Sequence, residues 1–214
     1  QQRRYLPEAV RNYLCLLGWT PTDGREVLPI ADIIAQFEVG AVHQSNARFD
    51  ERKMSNVNMQ TLRGLPPAQF AALARPVLAD AGVIDAQVTD ARLQEVLAVV
   101  QEKAVSLEHL PEFVTFFFTD AFKKDENVLA NLTKKGGDPQ ARLAEIIPAL
   151  EACEWTEPAM DATFAVTGTA HGRKPTDYFA PVRFAVSGQG GGAHLQAVLR
   201  VLGKEKVLRR LKGE

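Results

Sequence analysis

The sequence predicts an all-α protein. Apolar residues recur at spacings of three and four along most of the chain, Pro and Gly fall at the ends of those runs, and strand-like and helical segments do not alternate. Leu6 to Leu17 puts Leu6, Val10, Tyr13, Leu14 and Leu17 on one face, with Pro7 in the first turn and Gly18 as the stop. "LPIADIIAQFEV" predicts a second helix, and "PPAQFAALARPVLADAG" a third, entered at Pro67 and left at Gly82. Thr89 and Asp90 then open the longest periodic run, in which Leu93, Val96, Leu97, Val100, Ala104 and Leu107 predict one long central helix. After "HLPEFVTFFF" comes a charged link, Lys123 to Asn127. Asp138 is the predicted N-cap of the next helix, with Pro139 behind it and Leu143, Ile146, Ile147, Leu150 and Cys153 along its face. "TEPAMDATFAV" and "GAHLQAVLRVLGKEKVLRRL" complete the series, while the period of "YFAPVRFAVSG" fits a short strand and a buried helix equally. Breaks are expected near Gly64–Pro67 and near Lys134–Gly137, giving three lobes over residues 1–66, 67–132 and 133–214.

Composition narrows the function classes. With 214 residues, 46% hydrophobic and 24% charged, the chain has the make-up of a soluble globular protein. Its apolar runs are too short to span a membrane, and the basic start is not followed by the apolar stretch of a secretory signal, so the cytoplasm is the expected compartment. Cys15 and Cys153 sit among apolar neighbours with no ligand-spaced partner and read as buried structural cysteines. A net charge of −1 supplies no global attraction to nucleic acid. The C-terminal stretch is nevertheless basic, with Arg200, Lys204, Lys206, Arg209, Arg210 and Lys212 against Glu205 and Glu214. Two readings stay open there: a helix end that suits its dipole, or a patch that follows phosphates. The absence of long heptad runs predicts a monomer.

Motifs that suggest catalysis fail on context. His43, His109, His171 and His194 lack a carboxylate or thiol at triad or metal-ligand spacing and read as surface or loop residues. "GQGGGA", residues 188–193, matches a dinucleotide fingerprint, but the chain after it turns basic instead of supplying an acidic ribose partner. A glycine hinge before a helix is the better reading. Lys53-Met54-Ser55 begins like the KMSKS loop of class I aminoacyl-tRNA synthetases, yet Asn56-Val57 follows and no H-x-G-H occurs. No ATP site is therefore expected.

Three blocks point to a family. "YLPEAVRNYLCLLGW" (Tyr5 to Trp19), "ARFDERKMSNVN" (Ala47 to Asn58), and "PVRFAVSG" followed by "VLGKEKVLRRL" closely resemble, in order and spacing, the C-terminal half of bacterial glutamyl-tRNA synthetase. That family writes the second block F-D-x-x-K-L with an Asn four residues beyond, matched by Phe49, Asp50, Lys53, Met54 and Asn58. The resemblance covers nearly the whole chain. It implies a helical stem-contact domain followed by a two-lobed helical anticodon-binding domain, and it implies that "PVRFAVSG" is helical. ATP and Mg would belong to a catalytic domain outside this chain, so the implied function is tRNA binding without catalysis. The alternative is a free-standing, non-catalytic relative that binds RNA or protein.

The same resemblance implies site residues. Lys103 aligns with the Arg that reads the last anticodon base; Arg183 and Leu195 align with contacts of the second lobe, and Gly192 lies close to another contacting position. Arg209 and Arg210 would add phosphate contacts. Lys103 departs from the pattern, because a point charge replaces a planar fork whose bidentate contact is worth about 1–3 kcal/mol of base discrimination. Glutamate tRNA and glutamine tRNA are thus both implied partners. Taken alone, Leu195 reads as core, whereas Arg183 inside "FAPVRFAV" must face a partner or solvent. Phe49 and Met54 are expected as core anchors, with Asp50 and Lys53 capping or pairing at a helix start.

Overall fold

The computed structural model describes residues 4–43, 48–134 and 138–213. Ala47 and part of the break expected at Lys134–Gly137 lie outside the described residues. Among the described residues there are twelve α-helices and no strand. The chain divides into two compact units, Gln1–Glu112 and Phe113–Glu214, with the division inside a helix, α6 (Leu110–Phe118).

The first unit contains α1 (Pro7–Leu16), α2 (Ile30–Gln36), α3 (Glu51–Arg63), α4 (Pro67–Asp80) and α5 (Asp90–Val100). Helix α1 packs on α2 and α3, and α4 packs on α5. Two buried asparagines hold the first group together. Asn12 accepts the Leu28 N–H at 2.7 Å and donates to the Glu26 carbonyl at 2.6 Å, while Asn58 accepts the Leu6 N–H at 2.8 Å and donates to the Val105 carbonyl at 2.7 Å. Each amide thereby satisfies backbone groups that would otherwise be buried unpaired. The Tyr13 hydroxyl likewise accepts the Asp50 N–H at 2.6 Å. Trp19, Leu28 and Ile33 form a small buried cluster, with half-buried Cys15 against it.

Several expectations change here. Helix α3 escaped the periodicity because Asn58 occupies an apolar-face position beside Met54, Val57 and Leu62. Its start obeys the capping expectation: Asp50 accepts the N–H groups of Arg52 and Lys53, and the Lys53 ammonium pairs with Glu26 at 3.2 Å. Met54 is buried, but Phe49 is 60% exposed and meets Tyr13 edge-on, so it is no core anchor. Leu14 is also exposed, at 55%, rather than on the buried face of α1. Neither cysteine is fully buried.

The long central helix does not form. Helix α5 ends at Val100, and the following residues are bound sideways to α3: Gln101 donates from Nε2 to the Leu62 and Leu65 carbonyls, both at 2.9 Å, and Arg63 donates from Nε to the Glu102 carbonyl at 2.6 Å. Those bonds satisfy orphan carbonyls around the end of α3 and hold residues 101–103 as a 3-10 turn. Tertiary pairing has overridden an apolar period.

The second unit adds α7 (Glu126–Lys134), α8 (Pro139–Ala152), α9 (Glu157–Ala170), α10 (Thr176–Ser187), α11 (Leu195–Leu202) and α12 (Lys204–Lys212). Helix α8 packs against α9, α10 and α12, and α11 against α9 and α12. Asp138 caps α8 through the Gln140 and Ala141 N–H groups, as the sequence predicts. The ambiguous "YFAPVRFAVSG" is helical, with Tyr178, Val182, Ala185 and Val186 buried at helical spacing. Helix α7 begins at the end of the expected charged link, Lys123 to Asn127, runs on to Lys134, and buries no residue of its own. The last predicted helix is two, parted at Gly203, whose φ of +85° suits only glycine.

Glu145 ties three elements of this unit. Its carboxylate takes Arg142 at 3.1 Å, Arg173 at 3.1 Å and the Tyr178 hydroxyl at 2.8 Å. The Arg173 guanidinium, then the Tyr178 bond, hold its carboxyl below the ordinary value of 4.5. Burial, reinforced by Glu145, pushes the Tyr178 hydroxyl up to about 12 from 10.0. A lowered carboxyl stabilises the fold above its unfolded value and loses that contribution as pH falls through the folded one; a raised phenol does so below 10.0 and loses it as pH rises toward about 12. In urea unfolding across pH, Glu145→Gln should therefore flatten the loss of stability below about pH 5, and Tyr178→Phe the loss above about pH 10.

Candidate nucleic-acid interface

The sequence-predicted site residues fall into three places. Lys103 ends the 3-10 turn of the first unit, with its side chain exposed; Arg183, Gly192 and Leu195 belong to α10, the loop after it and the start of α11; Arg209 and Arg210 lie on α12. Arg63, Gln101 and Asn58 fix the backbone around Lys103 through their bonds to the 101–105 segment.

The glycine-rich loop at residues 188–194 joins α10 to α11 and is held against the chain leading into α7. Gly188 has φ +71°, and a side chain there would strike the Lys123 carbonyl oxygen and lie 2.8 Å from the Lys124 Cα. The Gly188 carbonyl accepts the Asp125 N–H at 3.0 Å. Gly190 is equally closed in, with Val128 Cγ2 2.8 Å from where a Cβ would stand. Gly192 differs. At φ +141° its Cβ direction is bounded only by Arg183 Nη1 at 3.5 Å and Gln189 Oε1 at 3.6 Å. The loop is thus pinned at Gly188 and Gly190 and open at Gly191 and Gly192.

Arg183 stands beside that opening, half-buried on α10, and among the described residues its guanidinium has no ion pair or hydrogen bond. Burial pushes its pKa below the ordinary guanidinium value, and no carboxylate offsets it. A desolvated guanidinium without an internal acceptor is a donor set open to an acceptor from outside. Leu195, by contrast, is 2% exposed and packs inside, at the first turn of α11.

Arg210 shows the opposite solution. It is 8% exposed, and each of its three nitrogens donates inward: Nε to Asp120 at 3.0 Å, Nη1 to the Val186 carbonyl at 2.6 Å, and Nη2 to the Phe116 carbonyl at 2.9 Å, the Thr119 carbonyl at 3.0 Å and Asp120 at 2.6 Å. Its guanidinium also lies 4.6 Å over the Phe122 ring. The side chain holds the fold and keeps no fork for a phosphate. Arg209 pairs with the other oxygen of Asp120 and is half-exposed, so it retains a face toward solvent. Asp120, drawn below the carboxylate range first by Arg210, joins Phe122, Lys124, Arg209, Arg210 and Gly213 around a cleft of about 380 Å3. From the sequence, Asp120 reads as a capping or solvated carboxylate, and its place between two arginines was not legible there.

A larger hollow of about 900 Å3 lies in the first unit, lined by Arg48, Phe49, Arg52, Ser55, Met59 and Val105 among others. All four histidines are exposed, and among the described residues no group of His, Cys, Asp and Glu is placed to hold a metal. No helix is long and apolar enough to cross a membrane.

Residues 69–213 match the protein family described as the anticodon binding domain. The chain belongs to that family. Its sequence is also 35% identical to a glutamate–tRNA ligase of Methylacidiphilum infernorum and 37% identical to one of Saccharopolyspora erythraea, over 97% and 100% of this chain. Those alignments cover 46% and 43% of the relatives, so this anticodon-binding chain spans less than half of their length and corresponds to their C-terminal part. A solved glutamate tRNA ligase from Elizabethkingia meningosepticum, in complex with its amino acid, superimposes with a TM-score of 0.78 over 98% of this chain and 41% of its own, at 24% identity. That likeness establishes the helical fold.

The two arginines of α12 should separate in a stability measurement. Arg210→Gln leaves three carbonyls without their donor and should lower unfolding free energy by about 2–4 kcal/mol in urea titration, whereas Arg209→Gln, losing a surface pair, should change it by less than about 1 kcal/mol.

Proposed function

We propose that this chain is the anticodon-reading part of a glutamate–tRNA ligase and that it binds tRNA without needing ATP or Mg, which serve a catalytic domain elsewhere in such enzymes. The observation that carries the reading is Arg183, a half-buried guanidinium without a partner among the described residues, beside the open α-carbon of Gly192 in a chain of the anticodon binding domain family. Single-stranded loops are recognised by donors and acceptors fixed around a splayed base, and this pair supplies donors and room together. Lys103, an exposed cation of the first unit, is the residue that family resemblance aligns with the reader of the last anticodon base. Leu195 acts by packing the start of α11 under the loop, and Arg210 by holding the helix that presents Arg209 to phosphates.

Glutamate tRNA is the proposed partner, and glutamine tRNA the competitor that Lys103 separates weakly, because an ammonium lacks the planar fork for a base edge. Equilibrium binding to a glutamate-tRNA anticodon stem-loop tests this reading. Binding should be salt-sensitive, fall about tenfold or more for Arg183→Gln, and fall less than about tenfold when the last anticodon C becomes G. An unchanged affinity for Arg183→Gln, or no binding to the stem-loop at moderate salt, would remove the proposal.

A further inference from the structure

We propose that the cleft between α12 and the segment 119–124 seats one phosphate of an RNA backbone, with Lys124 as the cation that holds it. The inference rests on the anticodon-reading function above and gives it a phosphate site and a residue that it does not use. Phe122 and Ala185 give the cleft, of about 380 Å3, its apolar surface, while its charge comes from Lys124, Arg209 and Arg210 against the carboxylate of Asp120. That carboxylate is shared by two guanidinium groups, Arg210 and Arg209, and Lys206 lies near enough to act on it as well. The cleft therefore keeps an excess of positive charge and attracts an anion.

Both cations are placed by the fold and keep donors to give. Lys124 is exposed, and among the described residues its ammonium has no carboxylate. The adjacent Asp125 is engaged elsewhere, since its carboxylate accepts the Asn127 N–H at 2.9 Å at the start of α7. The Lys124 backbone is fixed by the glycine-rich loop: its Cα lies 2.8 Å from where Gly188 would carry a Cβ, and the Gly188 carbonyl accepts the next N–H, that of Asp125, at 3.0 Å. Arg209 gives Nη2 to Asp120 and remains 46% exposed, so N–H groups of its fork are left for a second acceptor. Its helix is held in turn by Arg210, which binds the Phe116, Thr119 and Val186 carbonyls. The ligand that fits a fork and a point charge on one hollow is a phosphodiester, which carries charge and offers acceptors only. RNA is the source that the position favours, because Lys124 abuts Gly188 and a strand met at the glycine-rich loop brings its backbone to this cleft.

A phosphate contact is read by salt, because each one adds about 0.7 to the slope of log affinity against log salt on a single strand. The experiment titrates the full chain, Lys124→Gln and Arg183→Gln with a glutamate-tRNA anticodon stem-loop and with loops carrying one exchanged anticodon base. Lys124→Gln should weaken every loop alike, by about threefold to tenfold at moderate salt, and lower the slope by about 0.7. Replacing the loop phosphates one at a time by uncharged methylphosphonate should expose one position that weakens the wild type by a similar factor and leaves Lys124→Gln unchanged. Thermal melting of each variant establishes that the fold is intact. If Lys124→Gln keeps the wild-type affinity and slope while Arg183→Gln weakens binding, the phosphate site is wrong and the anticodon reading stands. An effect of Lys124→Gln confined to loops with one particular base would overturn the phosphate equally. RNA affinity indifferent to Lys124, together with binding of poly-glutamate that Lys124→Gln abolishes, would give the cleft to an acidic peptide instead. If the wild type binds no stem-loop, both proposals fall.

Discussion

A guanidinium carried into a protein interior must find acceptors for its N–H groups, and the second unit is organised around that demand at Arg210. The residue lies on α12, yet its acceptors are carbonyls at the end of α6 and of α10 and the carboxylate of Asp120. Those carbonyls sit at helix ends, where the intrahelical ladder runs out and partners must come from elsewhere. One side chain thus closes two helix termini and fixes the approach of a third helix. The end of α10 is also the point from which the glycine-rich loop departs, so the position of the candidate site descends from this buried charge.

Arg183, on the same helix α10, poses the same physical problem and leaves it unsolved. It is desolvated, but no carboxylate or carbonyl has been placed for it among the described residues. The second unit provides five hydrogen bonds for Arg210 and, among the described residues, none for the guanidinium of Arg183. On the proposed function an outside acceptor offsets the cost of the second arginine, and a loop already held by close contacts leaves little to order when it arrives. Gly188 and Gly190 secure the loop by close contact, so its glycine content reflects packing as much as freedom.

Much of this was legible in the sequence. Helix starts marked by Asp50, Asp138 and Pro7 were readable because capping is a local property, and the all-helical class followed from period alone. The losses have a common cause, which is that long-range hydrogen bonds do not write a period. Gln101 and Arg63 end a helix that Leu93 through Leu107 would otherwise continue, and Asn58 fills a core position that hydropathy scores as polar. At the candidate site, the sequence named Arg183 and Gly192 through family resemblance and could anticipate that a charge among apolar neighbours needs a partner. It could not separate Arg209 from Arg210, adjacent and chemically identical, because only the register of α12 against Asp120 sends one inward.

The central claim is that a preorganised loop between α10 and α11, with Arg183 beside it, meets RNA. Amide hydrogen exchange on the full chain, free and saturated with a glutamate-tRNA transcript, tests it most directly. The account predicts new protection across residues 183–194, and around Lys103, with the helices flanking Arg210 unchanged. Protection confined to α1 and α2, with the glycine-rich loop exchanging as it does in the free chain, would contradict it.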